Sequence, residues 1–179
     1  MSSNPNEREF KPLNIAIMTV SDTRTDATDK SGDTLVKLLT DAGHALAEKR
    51  IIPDDIYKIR AAVSEWIADD AINAVITTGG TGITGRDTTP EAVSVLFDKQ
   101  IDGFGEVFRA VSWEEINTST IQSRALAGVA NATFIFCLPG STGACRTGWG
   151  KLISHQLDYR TRPCNLVELM PRILEKGSS

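Results

Sequence analysis

Three short apolar runs, each ending in a cluster of small and polar residues, constrain the fold of this chain more than any other feature. Leu13-Asn14-Ile15-Ala16-Ile17-Met18-Thr19-Val20 leads into Ser21-Asp22-Thr23-Arg24. Asn73-Ala74-Val75-Ile76-Thr77-Thr78 leads into Gly79-Gly80-Thr81-Gly82, and Thr133-Phe134-Ile135-Phe136-Cys137-Leu138 into Pro139-Gly140-Ser141-Thr142. None of these runs sustains the polar alternation of a strand with one wet face, so each reads as a strand covered on both sides.

Helical periodicity fills the intervals. After a polar loop, Leu35, Leu38, Leu39 and Ala42 recur at i, i+3, i+4 and i+7, with Ser31 placed to cap that helix and Gly43 to stop it. A further strand over residues 44–52 is broken by Pro53, and Ile56, Ile59, Val63, Trp66 and Ile67 form the next helical stripe. Thr89 as cap, Pro90 and Glu91 signal another helix start. Phe104, Val107, Phe108 and Val111 make a stripe of their own, and the segment around Trp149, Leu152, Ile153 and Leu157 reads as helical despite Gly148 and Gly150. Strands alternating with helices predict a three-layer α/β sandwich with a mostly parallel central sheet. In such sheets ligands bind at the carboxyl ends of the strands, where the three polar turns lie.

The 179 residues suit one domain over residues 13–174, between a flexible N-terminal arm, 1–12, and a frayed C-terminus, 175–179. The 19 basic and 23 acidic residues give a net charge of −4, with both signs interspersed. This excludes a broad surface for nucleic acid or anionic membrane, but not a pocket that binds one small anion through backbone N–H groups. Three cysteines without a C-x-x-C pair fit a reducing cytoplasm, and His44 and His155 lie too far apart to suggest a zinc site. Residues 1–12 are polar rather than signal-like, and no apolar run approaches the roughly 20 residues of a membrane span.

Thr77-Thr78-Gly79-Gly80-Thr81-Gly82 is the strongest candidate for an anion cradle, although a tight structural turn accounts for it equally well. It matches neither the P-loop nor the dinucleotide fingerprint. The continuation Ile83-Thr84-Gly85-Arg86-Asp87-Thr88 puts a carboxylate a few residues from the glycines and just before a helix. Mg²⁺ takes one or two carboxylates together with phosphate oxygens, so Asp87 is the candidate metal ligand, with helix-terminal electrostatics as its other reading. Arg86 is placed to neutralise phosphate or to sit in solvent. Asp54 and Asp22 also follow strands, and each is open to a capping role. Ser141 and Thr142 either grip a second polar ligand head or cap the helix that follows. No Ser/His/Asp arrangement favours nucleophilic hydrolysis, and Cys137 sits within an apolar run.

The string Thr77-Thr78-Gly79-Gly80-Thr81-Gly82, Arg86-Asp87, Thr89-Pro90-Glu91, Asp102-Gly103-Phe104-Gly105-Glu106 and Leu138-Pro139-Gly140-Ser141 resembles the molybdenum cofactor biosynthesis family that includes MoaB, MogA and the G domain of gephyrin. Gly105-Glu106-Val107-Phe108-Arg109 through Gln122-Ser123-Arg124 and Thr161-Arg162-Pro163-Cys164-Asn165 are most similar to the MoaB branch. The resemblance implies a molybdopterin-binding domain assembled as a trimer or hexamer. In its MogA-like members it implies Mg²⁺- and ATP-dependent adenylylation of molybdopterin. Carried over by position, Asp87 would bind Mg²⁺ and act in catalysis, and Asp54 would be a second essential carboxylate. Thr78, Gly79, Gly80, Thr81, Gly82 and Arg86 would shape the phosphate site, with Ser21, Asp22, Glu106, Pro139, Gly140 and Ser141 lining the same pocket. The adenylylating relatives usually have Asn-Pro or Gln-Pro after Leu-Pro-Gly, where this chain has Ser141-Thr142. A second reading therefore stays open, a non-catalytic molybdopterin-binding or assembly protein of the same pathway.

Overall fold

From Ile15 to Val20 every residue of strand β1 (Asn14–Val20) is buried, because the strand has a neighbour on each side in a sheet that carries helices on both faces. The structure is a computed structural model and describes residues 8–175. After β1 come α1 (Lys30–Asp41), β2 (Ala45–Ile52), α2 (Ile56–Ile67), β3 (Ala74–Thr78), α3 (Thr89–Val93), β4 (Lys99–Gln100) and α4 (Asp102–Ile116). The chain continues with β5 (Leu126–Ala130), β6 (Thr133–Leu138), α5 (Thr142–Gly148), a π-helical turn over Trp149–Ile153, α6 (Ser154–Gln156) and α7 (Leu166–Leu169).

The sheet order is β2-β1-β3-β6-β5-β4. The pairs of β1 with β2 and β3, and of β3 with β6, are parallel. The flank is antiparallel, with β5 against β6 and β4 against β5. That flank carries little signal in the sequence: β4 spans two residues, and β5 reads Leu-Ala-Gly-Val-Ala with one β-branched residue.

Alternate β1 side chains separate the two layers. Ile15 and Ile17 pack with Leu35 and Leu39 of α1, Phe104 and Phe108 of α4, and Trp149 and Ile153 beyond α5. Ala16, Met18 and Val20 face Ile59, Val63 and Trp66 of α2 and Ala92 and Val93 of α3. Each fully buried aliphatic side chain contributes roughly 1.5–3 kcal/mol, so the apolar stripes read along the chain are also what hold the layers together.

Helix starts differ from expectation by one or two residues, and tertiary contacts explain why. The cap of α1 is Asp29, whose carboxylate accepts from Gly32 N–H at 3.0 Å. Ser31 instead lies inside the helix and donates its hydroxyl to the Gly140 carbonyl at 2.9 Å. Thr89 is the first residue of α3, not its cap, and its hydroxyl donates to the Gly79 carbonyl at 2.9 Å. Asp55 caps α2 through Tyr57 N–H and Lys58 N–H, at 3.0 and 2.9 Å, which leaves its neighbour Asp54 available elsewhere. Gly43 ends α1 with φ +93°, as read from the sequence, and Phe10 packs where a Cβ would stand.

Of the expected flexible arm, residues 1–7 lie outside the described residues, as do 176–179 of the expected frayed end. Residues 8–12 run against the last turns of the chain. Arg8 pairs with Glu168 at 2.7 Å, and Lys11 lies 3.9 Å from the Tyr159 ring centroid. No helix among the described residues is long and apolar enough to cross a membrane.

Candidate functional site

A cleft of about 590 Å³ opens at the carboxyl ends of β1, β3 and β6, a volume within the usual range for small-molecule sites. Its walls are the turns after these strands, the start of α1, the α4 face carrying Phe108, Ser112, Glu115 and Ile116, and the start of α5.

The turn after β3 is built on glycine for steric reasons. Gly79 has φ +105°, and a Cβ there would collide with the Val20 carbonyl at the end of β1. Its N–H donates to the Leu138 carbonyl of β6 at 3.0 Å, so this residue ties three strand ends together. A Cβ on Gly82 would lie 2.6 Å from Asp87 Oδ2, and only glycine lets that carboxylate close on the loop. Asp87 Oδ2 accepts from Thr84 N–H at 2.9 Å and from the Thr84 hydroxyl at 2.6 Å. The Thr84 hydroxyl, opposed by partial burial and helped by the N–H groups of Thr84 and Gly82, holds the Asp87 carboxyl below its usual range. It is therefore ionised at neutral pH and suited to a cation.

Arg124, given no role by the sequence reading, organises this loop from the segment before β5. Its Nε donates to the Gly82 carbonyl at 2.7 Å, a terminal nitrogen donates to the Asp87 carbonyl at 2.8 Å, and the other pairs with Glu91. One guanidinium thus fixes the glycine turn, the Asp87 backbone and the first turn of α3 together.

A second group of charges lies beside the loop. Arg86 forks onto Asp22, with Nε to Oδ2 at 2.9 Å and a terminal nitrogen to Oδ1 at 2.7 Å. The Asp22 carboxyl is held below its usual range by Arg86 first and the Asp54 N–H second. Asp54 in turn accepts from Thr88 N–H and the Thr88 hydroxyl, both at 3.3 Å. Burial raises the Asp54 carboxyl above its usual value, and the like charges of Asp87 and Asp22 add to this against the Thr88 bonds.

The expected site residues therefore separate. Ser21, Thr78, Gly79, Gly80, Thr81, Gly82, Asp87, Pro139, Gly140 and Ser141 line the cleft. Asp22, Arg86 and Asp54 form the linked group at its edge, outside the lining residues. Glu106 is exposed on α4 and does not reach the cleft wall. The Ser141 hydroxyl accepts from Ala144 N–H at 3.1 Å as the cap of α5, while the Thr78 hydroxyl donates to the Pro139 carbonyl at 3.0 Å. Cys137 is fully buried with its thiol pushed up to about 12, which removes it as a nucleophile.

Asp29, read only as part of a loop, is a buried carboxylate in the cleft wall. It accepts from the Thr19 hydroxyl at 2.8 Å and pairs with Lys49 at 3.0 Å, in addition to capping α1. Burial raises its carboxyl, but the Gly32 N–H, Thr19 and Lys49 together outweigh that and leave it below the usual range.

Among the described residues no group of three or more His, Cys, Asp or Glu side chains could cage a metal ion. The Asp87 carboxylate beside the glycine turn nonetheless fits Mg²⁺, which completes its shell with phosphate oxygens and water.

Residues 16–159 match the family described as "Probable molybdopterin binding domain". The chain is 56% identical over 157 residues to molybdenum cofactor biosynthesis protein B of Escherichia coli strain K12, covering 88% of this chain and 92% of that protein. It is 46% identical over 152 residues to the protein of the same name from Bacillus cereus, covering 84% and 90%. A crystal structure of molybdenum cofactor biosynthesis protein B superposes with a TM-score of 0.81 at 46% identity over 84% of this chain and 94% of that one. The tungsten cofactor synthesizing protein MoaB from Pyrococcus furiosus superposes with a TM-score of 0.73 at 38% identity over 81% and 92%.

Proposed function

The chain belongs to the molybdopterin-binding domain family, and from that premise we propose that it acts in molybdenum cofactor biosynthesis, binding molybdopterin in the cleft and adenylylating it with ATP and Mg²⁺. The observation that carries this reading is the ionised Asp87 carboxylate closed onto the glycine turn, inside a cleft of ligand size.

The chemistry asks for electrostatics and alignment more than for a protein nucleophile. The phosphate of molybdopterin attacks the α-phosphorus of ATP, a new P–O–P bond forms, and pyrophosphate leaves. Two anions must therefore be held together. Asp87 would hold Mg²⁺, which neutralises charge on the phosphates when bound. With the Gly79 N–H bonded to Leu138 and the Gly82 N–H engaged by Asp87, the dipoles left for phosphate are those of Gly80 and Thr81, in a turn fixed in advance by Arg124 and the strand ends. Asp54 is the second carboxylate, placed beside the loop and coupled to Asp87 by charge. Since the net charge of the whole chain is −4, attraction for these anions has to be local.

The second reading, binding without catalysis, draws on Ser141, whose hydroxyl oxygen is engaged in capping α5 where the adenylylating relatives usually carry Asn-Pro or Gln-Pro. ATP turnover separates the two. Adenylylation requires ATP consumption that depends on molybdopterin and is lost in Asp87→Asn, whereas the binding reading predicts molybdopterin binding by the intact chain with no ATP consumed.

The same proposal includes a cytoplasmic homo-oligomer, a trimer or hexamer. It is supported by exposed Val107, Trp113 and Ile116 along α4 and Ile121 just beyond it. Light scattering at micromolar concentration should give a mass of at least three chains, and a monomer would contradict it.

A further inference from the structure

The cleft is lined by two chemically unlike groups of residues. The glycine turn and Asp87 suit a phosphate and its counter-ion. The α4 wall carries Glu115, with the exposed Ile116 as apolar surface and Ser112 as a neutral polar group.

The Glu115 carboxylate is held in place from α5 and the turn after it. Oε2 accepts from the Thr147 hydroxyl at 2.7 Å, and Oε1 pairs with Lys151 at 3.2 Å, which also lies 3.6 Å from Glu114. These bonds, Thr147 before Lys151, keep the group ionised. Each carboxylate oxygen offers about two acceptor sites, so one on each oxygen is left, and the side chain is 43% exposed. A fixed carboxylate in the cleft lining, with acceptor capacity left on both oxygens, matches a flat heterocycle that presents two parallel N–H donors. Guanidinium forks recognise carboxylates by the same geometry.

We propose that Glu115 is the specificity residue for the heterocycle, accepting from the ring N–H and the amino group of a 2-amino-4-oxopteridine whose phosphate lies toward the glycine turn. This rests on the proposed function, which supplies the pterin. The other common heterocycle with that donor edge is guanine, and the test distinguishes them.

Binding is measured by calorimetry for 6-hydroxymethylpterin monophosphate, for its 2,4-dioxo analogue, which carries an oxygen in place of the amino group, and for guanosine monophosphate. The intact protein should prefer the pterin over the dioxo analogue by about tenfold or more, and over guanosine monophosphate. Glu115→Gln keeps an acceptor for Thr147 and should lose most of that preference while ATP binding and the melting temperature stay unchanged. A preference that is equal in both proteins overturns the role of Glu115, as does tighter binding of guanosine monophosphate. If the intact protein binds neither pteridine, the functional reading itself fails, a result distinguishable from the first.

Discussion

Arg124 donates to the main-chain carbonyl of Asp87 at 2.8 Å, so the residue carrying the candidate metal ligand is positioned by a side chain 37 residues away. The same guanidinium holds the Gly82 carbonyl at 2.7 Å. Lysine cannot reproduce this fork. Arg124→Lys should lower adenylylation on the order of 10²-fold, the scale of a small misplacement of reacting groups, with modest loss of stability. Steady-state kinetics beside thermal melts would show it, and full activity in the variant would contradict the positioning role.

The Thr84 hydroxyl is the main reason the Asp87 carboxyl lies below its usual range. Thr84→Val removes that donor, and the Asp87 carboxyl should rise. A ligand that must be ionised loses activity as pH falls through its value, so the acidic limb of kcat/KM against pH should move to higher pH. An unmoved limb would mean that Asp87 ionisation does not control the rate.

Asp29 tests the linkage between the cleft wall and the fold. Its carboxyl is lower in the folded protein than in an unfolded chain. The stability this contributes is therefore present above the ordinary aspartate value and lost as pH falls through the folded one. Asp29→Asn, which weakens the contacts to Thr19, Gly32 and Lys49, should cost about 1–3 kcal/mol at neutral pH. Urea unfolding across pH should show the difference shrinking in acid.

Asp54 has the opposite sign. Burial and neighbouring carboxylates raise its value in the fold, so its ionised form works against stability above the ordinary aspartate range. Asp54→Asn should leave neutral-pH stability equal or higher while adenylylation falls. A parallel loss of both in melts and kinetics would assign Asp54 to structure rather than reaction.

How much of this was legible in the sequence depends on the range of each interaction. The strands ending at Val20, Thr78 and Leu138 and the stripes of α1 and α2 were readable, because covered strands and amphipathic helices are periodic along the chain. The glycine turn and Asp87 were readable as neighbours, being separated by a few residues. Asp29 was hidden because Asp29 and Ser31 are both good caps, and the choice is made by the Gly140 carbonyl that takes the Ser31 hydroxyl. Asp54 and Asp55 divide in the same way, with Asp55 on α2 and Asp54 on Thr88. Arg124 was invisible in its role, since its partners include two backbone carbonyls that any residue would provide. Glu106 lies in a motif of the resemblance, yet the orientation of α4 puts Glu115 on the cleft wall and leaves Glu106 outside it.

The most direct measurement of the central claim is formation of adenylylated molybdopterin by the purified protein given molybdopterin, ATP and Mg²⁺, followed together with pyrophosphate release. The account predicts product with the intact chain, none without Mg²⁺, and none with Asp87→Asn although molybdopterin remains bound. Absence of product with the intact chain, or undiminished turnover in Asp87→Asn, would contradict it.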